Sequence, residues 1–493
     1  MTGNSAENAF APDRLLVAVV LALLVVRLVI GGSIGLSDDE AYYRIWALAP
    51  ALSYLDHPPV VAYMIALGRA LIGDTALGIR VVTIVAFTAG VSALWRTARI
   101  LFSADAANAA CWLLMSMPLL AIGGIITTPD APSVLFSGLV MWAIAELHRS
   151  QNANWWLAVG AFAGLGVISK YTNLFVGGSV LIWVLTSAAR RQWLRSWQFW
   201  VAGAIAAAIT APVVIWNALH GWASFAKQFS RVVRGHGASV NFTIEMAGGF
   251  FALASPLIAA LAVCGVVIAS WRAIKTQEPA ATLVVASIMP GLAYFALHAT
   301  HSRVQANWLA PLYPQFAICA ALALDTIPLS RLKVIVRTAA LGTGFASIAA
   351  VYAHAVAPLP FVVVRKDPTA QMHGWPEFSQ KVDATRLAQG AHWIATSSYA
   401  TTGQLAYGLK SRAAVFQLNE RLRYIHLDPP PVALTRLPGL YVELDRRANA
   451  KELQRRFQSV VKLPDIIRAL DGKPIATYSV YRVSEPKEKV FGP

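Results

Sequence analysis

SDDEAYYRIWALAPALSYLDHPPVVAY, residues 37–63, is a polar island in an apolar chain. Asp38, Asp39, Glu40, Asp56 and His57 fall within twenty residues, directly after a first apolar run at 14–30. Ionisable groups at a membrane boundary are costly to desolvate, so such a cluster marks a functional site. Ser37-x-x-Glu40 also fits a helix capping box, and acids in a first turn suit the helix dipole. Capping accounts for Ser37, Glu40 and one aspartate. It leaves Asp56-His57-Pro58-Pro59, a second polar knot at the next helix start, where proline is tolerated. Two short helices, 38–49 and 58–72, are expected to lie at the membrane surface within a loop at 34–75.

Around this island the 493 residues are 57% hydrophobic and only 13% charged, about half the charge of a soluble domain. Mean hydropathy is +0.54. The chain reads as a polytopic α-helical membrane protein. About eleven spans are expected: 14–30, 78–97, 106–126, 131–147, 155–169, 172–189, 197–216, 246–270, 280–298, 308–326 and 334–356. Each approaches the length that crosses about 30 Å of hydrocarbon, with 155–169 the shortest. Residues 1–357 form the membrane domain. After 358 no run is long enough to span. The short apolar stretches 392–395, 413–417 and 440–444 read as strands, and 376–389 and 448–460 as amphipathic helices. A small α/β domain is expected over 358–493. Cys111, Cys264 and Cys319 lie inside apolar spans without metal-ligand spacing and read as small buried hydrophobes.

The net charge of +16 points to anionic lipid or phosphate partners; no nucleic-acid motif is present. Arg96 and Arg99, His148 and Arg149, Arg190, Arg191 and Arg195, Arg272 and Lys275, and Arg331 and Lys333 fill alternate connections. The positive-inside rule places these in the cytoplasm. The island, the turn Thr127-Thr128-Pro129-Asp130, the loops 217–245 and 298–307 and the tail then face outward. The tail carries 20 Lys/Arg against 12 Asp/Glu.

The outward loops collect the unusual polar groups. Asp39, Glu40, Arg44, Asp56 and His57 come from the first, Asp130 from the second, and Lys170 and Tyr171 from a short connection. Arg231, Arg234, His236 and Glu245 come from the fourth, and His298, His301, Arg303, Gln305 and Asn307 from the last. Acids with cations suit group transfer from a lipid phosphate. Cations stabilise a departing phosphate, which needs no proton, and a carboxylate can deprotonate the incoming hydroxyl. A lone base without a covalent nucleophile inverts the sugar carbon, as in inverting glycosidases. Simpler roles exist for each group. Asp130 fits a helix N-cap, and Lys170 and Arg303 could snorkel to head groups. Asp56, His57 and His236 form a candidate divalent-metal set without the spacing of recognised motifs.

Asp39-Glu40-Ala-Tyr-Tyr, Tyr54-Leu-Asp-His-Pro-Pro59, Thr128-Pro-Asp-Ala-Pro132, Ile168-Ser-Lys-Tyr-Thr172 and Arg303-Val-Gln-Ala-Asn-Trp-Leu-Ala-Pro311 occur in this order. Together they resemble the lipid-carrier-dependent glycosyltransferases of the protein O-mannosyltransferase and aminoarabinose transferase type, over essentially 14–326. The tail stretches 395–409 and 415–421 resemble the outer domain of the same group. The resemblance implies a GT-C fold, polyprenyl-phosphate sugar donors and no required cofactor. It places the catalytic carboxylate on Asp39 and a second acidic position on Asp130. The aminoarabinose transferases carry Glu-Lys-Pro where this chain has Asp56-His57-Pro58. His57 inherits a phosphate-contacting position there with a weaker, titratable charge. The Asp-His-Pro-Pro variety looks closest to rhizobial lipopolysaccharide galacturonosyltransferases.

The resulting expectation is an inverting glycosyltransferase on the periplasmic face of a bacterial inner membrane. It would move a sugar, galacturonic acid among the candidates, from a polyprenyl phosphate to lipid A or lipopolysaccharide core. Asp39, Glu40 and Asp130 are the expected catalytic residues. Arg44, His57, Lys170, Arg234 and Arg303 would hold the donor phosphate. Rival readings are a protein O-glycosyltransferase of the same family and, from another class, a lipid-linked sugar flippase. A flippase would need polar groups near the bilayer midplane and, often, repeated halves.

Overall fold

The computed structural model describes residues 12–233, 237–359, 367–410 and 412–487. Among these, eight helices are long and apolar enough to cross a membrane. They are Arg14–Ser33, Ala76–Leu101, Asp130–Ser150, Trp197–Leu219, Pro256–Thr276, Pro279–His298, Ala306–Asp325 and Ser330–Val356. A bent pair, Tyr171–Leu185 with Ala188–Arg195, makes a ninth if taken as one span.

The eleven continuous spans expected from hydropathy are therefore not all continuous. The run 106–126 is two short helices, Ala104–Met115 and Pro118–Gly123, with Pro118 opening the second. A proline inside one longer helix would remove a backbone hydrogen bond and clash with the preceding turn. The run 246–270 breaks at Ser255, whose φ is +70°, before Pro256; a residue ahead of proline is driven out of the α region. The bent pair turns through 109° within 172–189. Trp155–Val167 has 13 residues, about 20 Å of helix, short of the hydrocarbon thickness.

The chain divides into two compact units. The first holds residues up to Val29, Asp56–Val61 and Arg80–Tyr352. Its helices meet through small residues. An added Cβ on Gly265 would lie 1.8 Å from the Cys319 carbonyl oxygen, so only hydrogen fits where Pro256–Trp271 crosses Tyr313–Asp325. Such close approach is how apolar helices gain van der Waals contact where no hydrophobic drive exists. Cys111 and Cys319 are buried as expected, whereas Cys264 is exposed on the outside of its helix.

The second unit joins Ile30–Leu55 and Ala62–Ile79 to everything from Ala353 onward. Its sheet has the order β2-β1-β3-β5-β4. β1 (Trp393–Thr396) lies parallel to β2 (Ala414–Gln417) and β3 (Gly439–Leu444). β4 (Phe457–Leu470) and β5 (Lys473–Pro486) form a long antiparallel hairpin on the far side of β3. The three expected strands are present. The helix expected over 448–460 stops at Arg456, and Phe457 begins β4. The β-branched Val460 and Val461 there pair with β5. Helix Trp375–Ala388 occupies the other expected helical stretch.

Helix Tyr399–Gly408 crosses β1 to β2 and packs on helix Asp38–Leu48 of the polar island. Gly403 permits this contact: a Cβ there would sit 2.8 Å from the Ala41 carbonyl carbon and the Tyr42 nitrogen. Gly403→Val is expected to lower stability by about 1–3 kcal/mol through overpacking. Gly248→Ala, with nothing within 4 Å of the new carbon, should leave the thermal midpoint of the detergent-solubilised protein unchanged.

Candidate functional site

In the first unit, helix Asp130–Ser150 starts directly after Pro129, and no side chain caps it. The Asp130 carboxylate reaches across to two other elements instead. It pairs with Lys170 Nζ and accepts from Asn307 Nδ2 at 2.7 Å. The N-cap alternative for Asp130 is thus not realised. Lys170 is buried between helix Trp155–Val167 and the short turn Tyr171–Asn173. The turn is locked by Ser133, which donates to Asn173 Oδ1 at 2.7 Å and accepts from Asn173 Nδ2 through its carbonyl at 3.1 Å.

A cavity of about 200 Å³ adjoins this knot. Asp130, Asn307, Thr83 and Thr128 supply its polar wall, and aliphatic side chains with Phe87 form most of the rest. The arrangement is an apolar chamber with an ion pair at one side.

A second ion pair belongs to the same unit. Asp56 meets Lys227 at 2.6 Å, and Gln228 donates to the Asp56 carbonyl. Lys227 and Gln228 lie on helix Ala223–Val233. That helix also contacts Tyr171, through Ser224 Oγ at 3.0 Å and the Phe225 ring at 5.3 Å. Tyr171 follows Lys170 in the chain. The Asp130 and Asp56 pairs are therefore linked through one polar assembly. His57 sits beside it, half-buried.

Arg303 pairs with Glu245 at 2.8 Å and is 73% exposed. Its contribution to the Asp130 assembly is replaced by Asn307, four residues on. Arg234 and His236 lie outside the described residues, so the metal set containing His236 is not described as a whole. Among the described residues no group of three or more His, Cys, Asp or Glu could hold a metal ion.

Asp38, Asp39 and Glu40 of the polar island lie in the second unit. Ser37 and Glu40 form the full capping box: Glu40 accepts from the Ser37 backbone at 3.0 Å and from its hydroxyl at 3.1 Å. Glu40 is completely buried, which suits a structural cap and not a group that meets substrate. Asp38 accepts from Gln404 Nε2 at 3.1 Å, and its backbone donates to Gln371 Oε1 at 3.1 Å. Burial raises the Asp38 pKa against those hydrogen bonds. Asp39 is half-buried; burial, then the Asp39 charge, raise the pKa of the Tyr399 phenol.

Arg44 is buried and forks onto Asp74, with Nε at 2.8 Å. Arg69 meets the same carboxylate at 2.9 Å. Burial pushes the Asp74 carboxyl up, but the two guanidinium groups outweigh it and hold the pKa at about 2. Arg44 therefore ties the island together, and a donor phosphate would have to displace Asp74 to reach it.

Residues 56–216 match the family model of dolichyl-phosphate-mannose-protein mannosyltransferases. The lipid A galacturonosyltransferase RgtD of Rhizobium johnstonii is 24% identical over 291 residues. That match spans 57% of this chain and 59% of RgtD, less than two-thirds of the relative's length. ArnT from Cupriavidus metallidurans, solved with undecaprenyl phosphate, superposes with a TM-score of 0.63 at 14% identity. The superposition covers 97% of this chain and 98% of ArnT. The chain shares the GT-C fold. Archaeoglobus fulgidus AglB, an oligosaccharyltransferase solved with dolichol-phosphate, shares the fold at a TM-score of 0.54 and 12% identity, over 88% of this chain and 70% of its own. The expected fold class is borne out as a multi-pass helical GT-C protein with a small C-terminal sheet domain.

Sequence reasoning did not single out Lys227, Asp74 or Tyr399. Lys227 sits on a strongly amphipathic helix inside a stretch read as a loop, and its periodicity was the available signal. Asp74 and Tyr399 carry no local signal, because their partners are distant in sequence.

Two outcomes are expected. Lys170→Met and Asp130→Asn should be non-additive by roughly 0.5–3 kcal/mol in a double-mutant cycle read by thermal unfolding, because each change strands the other partner. Acid should also weaken the island. The Asp74 pKa is depressed from 3.8 to about 2, so its stabilisation is complete above the unfolded value and is lost as pH falls from about 4 to 2. Asp74→Asn should flatten the melting curve's pH dependence in that window.

Proposed function

We propose that this chain is an inverting glycosyltransferase that takes a sugar from a polyprenyl phosphate. The observation that carries this reading is the Lys170–Asp130–Asn307 knot beside an apolar chamber. A polyprenyl phosphate presents the same combination, an oily chain ending in an anion. The relatives add support: ArnT was solved with undecaprenyl phosphate and AglB with dolichol-phosphate. RgtD's name supplies lipid A as acceptor and galacturonic acid as sugar.

In this reading Asp39 accepts the proton of the acceptor hydroxyl. The hydroxyl oxygen forms its bond to the anomeric carbon from the face opposite the phosphate. The bond from that carbon to the phosphate oxygen breaks, and its electron pair leaves with the phosphate. Lys170 stabilises the charge that collects on the departing oxygens. Asp130 holds the Lys170 ammonium in place; His57 and Lys227 are further contacts for the phosphate. Glu40 is left out of the chemistry, since it caps its own helix. The donor pocket needs no metal in this scheme. The reaction takes place on the periplasmic face of the inner membrane, where the tail's surplus of eight positive charges would draw in a phosphorylated, acidic acceptor.

The test is transfer in liposomes holding the purified protein, polyprenyl-phosphate galacturonic acid labelled in the sugar, and lipid A. Label is expected in lipid A, and mass spectrometry of lipid A from cells with and without the gene should differ by one uronic acid. Label entering a protein hydroxyl instead would move the acceptor to the protein O-glycosyltransferase reading. No transfer to either would remove the enzyme reading. Asp39→Asn is expected to reduce turnover by about 10²–10⁴, the usual worth of a general base, with unchanged melting. Full activity of that variant would reject Asp39 as the base.

A further inference from the structure

The glycines of the membrane unit fall into two kinds. Gly160, Gly265 and Gly344 lie at helix crossings: an added Cβ would come within 2.3, 1.8 and 2.3 Å of a neighbouring carbonyl oxygen. Close helix packing explains them. Gly138 is different. It lies inside helix Asp130–Ser150 and is buried, yet an added Cβ would meet no atom of the described residues within 4 Å. Glycine inside a helix is destabilising relative to alanine, and packing does not account for it here. What lies beside it is the apolar chamber. Gly90, on Ala76–Leu101, and Gly123, the last residue of Pro118–Gly123, line the same chamber. At Gly90 the nearest atom to an added Cβ is Leu135 Cδ1 at 3.8 Å, an ordinary contact, and at Gly123 the described residues offer none within 4 Å. Three helices thus each present a methyl-sized notch to one space.

The walls between the notches are held in place. The Arg27 guanidinium stacks on the ring of Phe87, a lining residue, at 4.0 Å. The Tyr352 hydroxyl donates to the Ala121 carbonyl oxygen at 2.7 Å, which fixes the short helix that carries Gly123. A space with pinned walls keeps its shape, and a fixed shape selects its ligand at lower ordering cost. The chamber is also small. A cavity of about 150 Å³ takes up a benzene ring; about 200 Å³ therefore admits roughly one or two branched five-carbon units and not a whole carrier lipid. The polar wall at Asp130 decides which units those are: the ones next to the phosphate.

We propose that Gly90, Gly123 and Gly138 are specificity-determining residues: their notches receive the methyl branches of the isoprene units nearest the phosphate, so the chamber selects an isoprenoid chain over an unbranched alkyl chain. This rests on the reading of a polyprenyl phosphate as the donor's carrier. An unbranched chain leaves the notches unfilled and loses their dispersion contacts. One methyl-sized group more or less in a fitted apolar pocket changes affinity by roughly 10–200-fold. Alanine at a notch supplies the methyl group from the protein's side and turns away the ligand's.

Farnesyl phosphate and dodecyl phosphate have the same backbone length and differ in methyl branches and double bonds. The assay is displacement of labelled undecaprenyl phosphate from the full chain in nanodiscs. The parent should bind farnesyl phosphate about tenfold or more tighter than dodecyl phosphate. Gly138→Ala and Gly123→Ala should each bring the two affinities within about threefold by weakening farnesyl phosphate alone, with an unchanged melting temperature. Gly203→Ala, at an exposed position outside the chamber where an added Cβ also meets nothing within 4 Å among the described residues, should keep the parent ratio. A preference that both chamber variants preserve would assign it to the double bonds and overturn the inference. So would a parent that binds both phosphates equally, or variants that lose both alike; in each case the donor reading stands. A parent that does not bind undecaprenyl phosphate would remove the donor reading and this inference together.

Discussion

One carboxylate ties the membrane unit together. Asp130 is met by Lys170 and Asn307, from positions 40 and 177 residues away, so three helix starts are pinned to one point. Charged groups in an apolar setting persist only when paired and hydrogen-bonded. The knot satisfies that rule and also fixes the polar wall of the chamber. Loss of any member would leave a buried polar group without its partner. The elements around it are broken helices and short turns, such as Trp155–Val167 and Tyr171–Asn173. Non-helical backbone at membrane depth is tolerated where it lines a protein cavity. The interruptions at Pro118 and Pro256 have the same character: they shorten helices in a bundle that must enclose a space.

In the second unit, buried carboxylates organise helix starts. Glu40 closes a capping box at Asp38, and Glu443 does the equivalent work for the Tyr399 helix from outside it. Both exploit the orphan backbone donors of a first turn. Within the triplet Asp38-Asp39-Glu40 the three acids consequently have different tasks. Glu40 is consumed by its own helix, and Asp38 is engaged by glutamines of the tail. Asp39 is half-buried. Three adjacent acids look alike in sequence, and their neighbours in space separate them.

Much of this organisation was legible in the chain. Hydropathy gave a polytopic helical protein, and the ordered motifs pointed to the GT-C fold. Short apolar stretches gave β1 to β3, and Ser37-x-x-Glu40 gave the cap. What was missed has physical reasons. Hydropathy sums over a window and does not register a proline or a strained Ser255 that breaks the run. The hairpin of β4 and β5 carried a short-range signal that went unused: Asp471-Gly472, both with positive φ, is the two-residue turn that joins twisted strands. The Lys227–Asp56 contact joins residues about 170 positions apart, and no local pattern encodes such a pairing. Arg44 shows a related effect. A cation near a candidate site looks available until its counter-ion, Asp74, is located.

The distribution of charge along one helix bears on the rival reading of a flippase. Helix Asp130–Ser150 has an ion pair at its first residue and another at its end, where Glu146 meets Arg96 and Arg149, both at 2.7 Å. Between Ala131 and Ala145 it carries no ionisable residue. Sixteen residues at 1.5 Å each separate Asp130 from Glu146 by about 24 Å, most of the roughly 30 Å thickness of the hydrocarbon. A pathway that carries a phosphate across the bilayer needs polar groups near the midplane, because an unpaired anion there is prohibitively desolvated. This helix offers such groups at its ends alone, and the chamber beside it is mostly aliphatic. The basic end, with Arg96 and Arg149, is the kind that stays with the cytoplasm. An acidic end of this kind suits the proposed meeting with a head group from one side, and the helix offers no polar path along its own length.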